Sequence, residues 1–155
     1  MSKILLLAVA LSAGLAGAAS AEIHGSWTAV LDSERPDRMY MNITRKMWQH
    51  NGNTMKLADF AGLTREQAES DTQVLVQFKI ARDAGTIAFE GTFKRGDGAG
   101  QFSFQPNLGY PQALREMGIE FELKRRRPKS DEEVLFDLAM LDVSPAYVRA
   151  MQAAL

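Results

Sequence analysis

Residues 72–105 read TQVLVQFKIARDAGTIAFEGTFKRGDGAGQFSFQ. Val74, Val76, Phe78 and Ile80 alternate with mostly polar neighbours, as do Ile87, Phe89 and Phe93, then Phe102 and Phe104. A period of two marks strands with one buried face. Two Gly-bearing turns separate three such runs, so the stretch predicts an antiparallel meander. Arg82-Asp83-Ala84-Gly85 fits a four-residue hairpin loop with glycine in the left-handed position. Pairing Ala81 with Thr86 sets Ile80 against Ile87, Phe78 against Phe89, Val76 against Gly91 and Val74 against Phe93. That register turns every large apolar side chain to one face, and a slip of one residue would turn them all outward. Gly91 leaves a gap there, which Phe104 is expected to cover.

Upstream, Ile23, Gly25, Trp27, Ala29 and Leu31 alternate as a first strand. Gly25-Ser26-Trp27 matches the Gly-x-Trp that opens lipocalin-like barrels, so Trp27 is either ordinary core or a barrel plug. Pro36 breaks the chain into a turn. Residues 39–45 form a second strand with Met39, Met41 and Ile43 inward. Asn51-Gly52-Asn53 reads as a hairpin turn leading into a short third strand at 54–57. Leu57, Phe60 and Leu63 tuck the next connection onto the sheet. Thr64 with Gln67 forms a capping box that starts a short helix through Glu69.

After residue 105 the pattern changes. Residues 111–117 predict a helix with Pro111 in its first turn and Gly118 as its stop. Ile119, Phe121 and Leu123 alternate as a short strand or arm. Ser130 with Glu133 is a second capping box, followed by an apolar stripe of Val134, Leu135, Leu138 and Leu141. Ser144-Pro145 starts a last helix with Val148, Met151 and Leu155 on one face. PQALREM (111–117) and PAYVRAM (145–151) share Pro, Arg and Met; a true repeat and two helices that both begin on proline explain this equally well.

The chain has 155 residues and opens on a leader. Lys3 precedes the apolar run ILLLAVALSAGLAG, and Ala19-Ser20-Ala21 is a small-x-small exit, so cleavage is expected to leave Glu22 first. The alternative is an uncleaved anchor, for which the run is shorter than the roughly 20 residues a span needs. Beyond residue 21 no stretch is long and apolar enough to span. These features predict export to the periplasm or extracellular space. Lys3 is the only charged residue of the leader, so 17 basic and 19 acidic side chains follow it, net −2. That balance gives no footprint for nucleic acid. Without cysteine there is no disulfide and no lipid-bearing Cys, so a hydrophobic core must hold the fold.

The sequence carries little that resembles catalysis. His24 and His50 are the only histidines, short of the three or four ligands that zinc takes. There is no Gly-x-Ser-x-Gly elbow and no cysteine nucleophile. Acidic pairs such as Glu132 and Glu133 are explained by helix capping. Gly96, Gly98 and Gly100 precede a strand rather than the helix that a phosphate loop requires. Arg95-Gly96-Asp97 reproduces the tripeptide of integrin ligands inside a turn whose composition explains it. The run KRRRPK (124–129) suits an anionic surface or an acidic partner; the acidic residues flanking it equally suit a solvated, self-paired loop.

From residue 82 to 151 the chain resembles a group of uncharacterised exported bacterial proteins. Their pattern is RDAGTxxFEGxFxxGxGxGxFxFxPNxxY, a helix ending in Met and Gly, then DLAxxDVSPxYVRxM. Here it reads RDAGTIAFEGTFKRGDGAGQFSFQPNLGY and DLAMLDVSPAYVRAM. Similar segments occur in tails of beta-lactam-sensing-type metallopeptidases. The His-Glu-x-x-His of those peptidases is missing, so the resemblance implies membership without activity. KRRRPK is longer and more basic than the pattern leads one to expect.

The sequence therefore predicts an α+β fold: a leader at 1–21, a curved antiparallel sheet of about six strands within 22–107, and helices at 108–155 packed on it. A closed lipocalin-like barrel is the structural alternative. The functional expectation is a non-enzymatic protein-interaction module of the cell envelope, without cofactor, metal or nucleic acid, its partner an envelope protein. A small apolar-ligand carrier and a hydrolase are the alternatives. Phe136, Met140 and Tyr147 fall off the main helical stripes, so they are expected to form a partner surface with Lys124, Arg125, Arg126 and Arg127.

Overall fold

The computed structural model describes residues 22–45, 50–119 and 130–154. The fold is α+β: six antiparallel strands in one sheet, followed by helices. The strands are β1 (Ile23–Leu31), β2 (Arg38–Thr44), β3 (His50–Lys56), β4 (Val74–Arg82), β5 (Gly85–Lys94) and β6 (Asp97–Pro106). Their order across the sheet is β3-β2-β1-β6-β5-β4. The first and last strands of the chain's sheet region thus meet in the middle, and β3 and β4 are the edges. No ladder joins those edges among the described residues, so the sheet is open rather than a closed barrel.

The β4–β5 register is the one the alternation predicts. Ala81 pairs with Thr86, Ile80 with Ile87, Phe78 with Phe89, Val76 with Gly91 and Val74 with Phe93. Phe78 and Phe89 stack at 4.9 Å. The connecting loop is shorter than predicted: Arg82 still pairs with Gly85, leaving Asp83-Ala84 as the turn. Gly85 has φ +151° and lies against the Phe104 ring and the Gln105 carbonyl. A side chain there meets both, so glycine is required.

Gly91 is covered by Trp27, not by Phe104. Phe104 pairs with Ile87, four residues away along β5, whereas Gly91 faces Gly100, and Gly100 faces Trp27. The indole lies against Phe78 at 5.3 Å and Phe93 at 5.6 Å. Trp27 is 1% exposed and belongs to the packed inner face. Phe60 closes this aromatic cluster from the connection, edge-on to Phe78 at 5.6 Å.

Asn51-Gly52-Asn53 is not a turn. These residues lie within β3, paired with Ile43, Asn42 and Met41. The Asn-Gly signal was overridden by ladder pairing with β2, and the Tyr40 hydroxyl lies over Gly52, filling the place of a side chain. The β2–β3 connection therefore falls before His50, at residues partly outside those described.

Helix α1 (Arg65–Glu69) begins on the Thr64–Gln67 capping box. Helices α2 (Tyr110–Glu116), α3 (Asp131–Met140) and α4 (Pro145–Ala153) follow the sheet. The Ser130–Glu133 capping box opens α3, and Ser144 caps α4. Each such cap is worth about 1 kcal/mol. Helix α3 contacts β5 and β6. Its buried residues are Leu135, Phe136 and Ala139.

The α3 stripe is buried at Leu135 and partly buried at Leu138, as its spacing predicts, but Phe136 joins it and Leu141 leaves it. Phe136 is fully buried, 5.6 Å from Phe102 and 5.2 Å from Phe104, whereas Leu141 is 73% exposed. Helix α3 is apolar on several sides, so periodicity alone does not choose the face. The Phe102 and Phe104 rings choose it, by offering an aromatic surface that accepts a third ring. Tyr110 donates its hydroxyl to the Val143 carbonyl, tying α2 to the α3–α4 connection. Among the described residues no helix is long and apolar enough to cross a membrane.

Candidate functional site

The helices pack against the inner face of the sheet, so the outer face of its central strands meets solvent. Antiparallel pairing sorts its side chains into transverse rows. One row runs Lys79 (β4), Ala88 (β5), Ser103 (β6) and His24 (β1). The next runs Gln77, Glu90, Gln101 and Ser26. In the first row the middle residues are short and the end residues long. The second row presents three long side chains in succession. Short residues flanked by long ones make a trough, with Ala88 and Ser103 as its floor. It has a volume of about 550 Å³. That lies within the range of small-ligand sites, although most such sites are more apolar.

The trough is lined by groups of mixed charge. Glu22 and His24 stand at one end, paired at 3.2 Å. Lys79 stands at the other and Glu90 in the wall. At the β4 edge Ala61 forms an isolated bridge with Lys79, each donating its N–H to the other's carbonyl at 2.9 Å. The bridge occupies the β4 backbone where the trough reaches the edge.

An imidazole opposite a hydroxyl, with a carboxylate on the imidazole, is a nucleophile arrangement in outline. Residues 97–104 of β6 pair on both sides, with β1 and with β5. The backbone N–H groups around Ser103 are spent in those ladders, so the strand offers no oxyanion donors. Hydrogen bonding and charge pairing with a bound molecule are open to the trough.

The expected helical surface is only partly there. Phe136 is core, because it completes the ring cluster on β6. Met140 is partly buried against that core. Tyr147 is 55% exposed. Leu141 and Met151, read as core from their spacing, are exposed beside it in the chain. Lys124, Arg125, Arg126 and Arg127 lie outside the described residues. The helices of the two similar heptads bury equivalent positions, Leu114 in α2 and Val148 in α4. His50 accepts or donates at 2.9 Å with Thr44, its cross-strand neighbour on the exposed face.

Arg95-Gly96-Asp97 sits at the β5–β6 turn, with φ +52° at Arg95 and +87° at Gly96. This loop is not presented freely. Arg95 N–H donates to the Ser70 carbonyl, Gly96 N–H donates to the Ala68 carbonyl, and Leu31 N–H donates to the Gly96 carbonyl. Three backbone bonds hold the turn against α1 and β1.

Arg45, just past the end of β2, is a largely buried charge, with 6% of its side chain exposed. Its guanidinium lies 4.7 Å from the Phe136 ring centroid, and its Nη2 pairs with Asp137 at 3.2 Å. Among the described residues Nε and Nη1 have no acceptor. Reading the sequence missed both Arg45 and the trough. The only signal for the trough is a small residue at an outward position of β5, and its meaning depends on which strands flank it.

No protein-family model matches the sequence, and no curated protein or solved structure matches it either.

Proposed function

We propose that the chain is a non-catalytic, exported module of the cell envelope that binds a protein partner through the trough. The carrying observation is the row Lys79–Ala88–Ser103–His24, which opens a groove with hydrogen-bonding walls on the solvent face of a rigid sheet. Such walls suit an extended polar segment, whose amides Gln77 and Gln101 can bond. The leader at 1–21 supports export. The packed inner face and the β6 backbone paired on both sides at residues 97–104 lend no support to the apolar-carrier and hydrolase alternatives.

The test is site-specific photo-crosslinking in envelope extracts. A crosslinking residue at Ala88 should capture the partner, and one at Thr28, exposed on the same face in another row, should not. Ala88→Arg fills the trough and should abolish capture by tagged protein, while the melting curve moves by no more than about 0.5 kcal/mol. Capture that survives Ala88→Arg places the partner elsewhere and overturns the reading.

A further inference from the structure

We infer that removal of the leader completes the trough: cleavage before Glu22 puts an α-ammonium at its end, which takes the carboxylate terminus of a short peptide. The inference rests on the trough being the docking site and on the Ala19-Ser20-Ala21 exit being cut. Glu22 is both the first residue after that exit and a residue lining the trough. In the uncleaved chain its nitrogen is a neutral amide. In the processed chain it carries a positive charge, ordinarily up to a pH of about 8.

The charges already in place leave room for that cation to act. The Glu22 carboxylate is engaged by His24 at 3.2 Å. Glu90 stands in the long wall, one row away from His24 and Ser103. A ligand carboxylate at the Glu22 end meets the new ammonium and the Ser103 hydroxyl and keeps its distance from Glu90. The rest of the ligand then runs across Ala88 toward Lys79, where Gln77 and Gln101 present amides to its backbone. The short floor admits small side chains best, which makes an alanine peptide the natural probe.

The test uses the chain beginning at Glu22, the same chain acetylated at its α-nitrogen, and two probes, acetyl-Ala-Ala-Ala as free acid and as amide. Backbone NMR shifts at His24, Lys79, Ala88 and Ser103 report binding. The free acid should bind the processed chain about tenfold more tightly than the amide. Acetylation of Glu22 should bring the two within about twofold. An acid preference that survives acetylation overturns the role of the α-ammonium and leaves the trough standing. Absence of saturable shifts at all four residues with either probe also overturns the inference, and capture at Ala88 judges the trough reading separately.

Discussion

Trp27 stands opposite Gly100 in the β1–β6 ladder, and its indole N–H reaches past that glycine to two carbonyls, Gln101 at 3.0 Å and Glu90 at 3.1 Å. One side chain of β1 thus bonds to two neighbouring strands. At Gly100 an added Cβ would come within 1.9 Å of the Glu90 carbonyl oxygen, and at Gly91 within 2.1 Å of the Ala99 carbonyl oxygen. The strands approach this closely because neither residue has a side chain, and the indole covers the strip. Gly100→Ala should cost about 3 kcal/mol as a forced backbone shift, and Trp27→Ala about 3–5 kcal/mol. Gly109, where an added Cβ meets only the Asn107 side chain at 3.4 Å, is the control: Gly109→Ala should change stability by no more than about 0.5 kcal/mol. Urea melts of the three variants check the ordering.

Phe136 and Tyr147 separate core from surface in the helical region. Phe136→Ser should cost about 4 kcal/mol, because it empties a ring site between Phe102 and Phe104 and places a hydroxyl there. Tyr147→Ser should cost no more than about 0.5 kcal/mol. Equal costs in denaturant melts would contradict the packing of α3 on β6.

The Arg45–Asp137 pair should respond unequally to removal of its members. Arg45→Met keeps an apolar stem on Phe136 and deletes two buried nitrogens, Nε and Nη1, that lack acceptors among the described residues. Its stability should stay within about 1 kcal/mol of the parent. Asp137→Ala strips the buried guanidinium of its carboxylate and should cost about 3 kcal/mol. Thermal melts of both variants, read with the double variant, give the coupling between the two residues.

Tyr110 should make stability fall at high pH. Burial raises its pKa above the ordinary phenol value, and the charges of Asp83 and Asp142 act in the same direction. The folded state therefore favours the neutral phenol. That contribution is complete below the unfolded value of about 10 and is lost as pH rises through the higher folded value. Tyr110→Phe removes the bond to the Val143 carbonyl and should cost about 1–2 kcal/mol near neutrality. It should also flatten the alkaline decline. Denaturant melts from pH 8 to 11 test both effects, and a decline of unchanged slope in Tyr110→Phe would assign it to other groups.

The sequence by itself determined what is local. Alternation from Val74 to Phe93 set the β4–β5 register, because a hairpin pairs neighbouring residues and a single slip exposes every aromatic ring. The Thr64–Gln67 and Ser130–Glu133 boxes set two helix starts, because each cap is satisfied within four residues. Only the tertiary structure decided the rest. Pairing β1 with β6 puts Trp27 on carbonyls 63 and 74 residues away, and no local pattern states which distant strand fills a gap at Gly91. The same ladder brings His24 to Ser103 and so creates the trough. Asn51-Gly52-Asn53 has the composition of a turn and became strand, since pairing with β2 satisfied backbone groups that a turn would leave to water. Phe136 was sent inward by the Phe102 and Phe104 rings: where a helix is apolar on several sides, its surroundings choose the buried face.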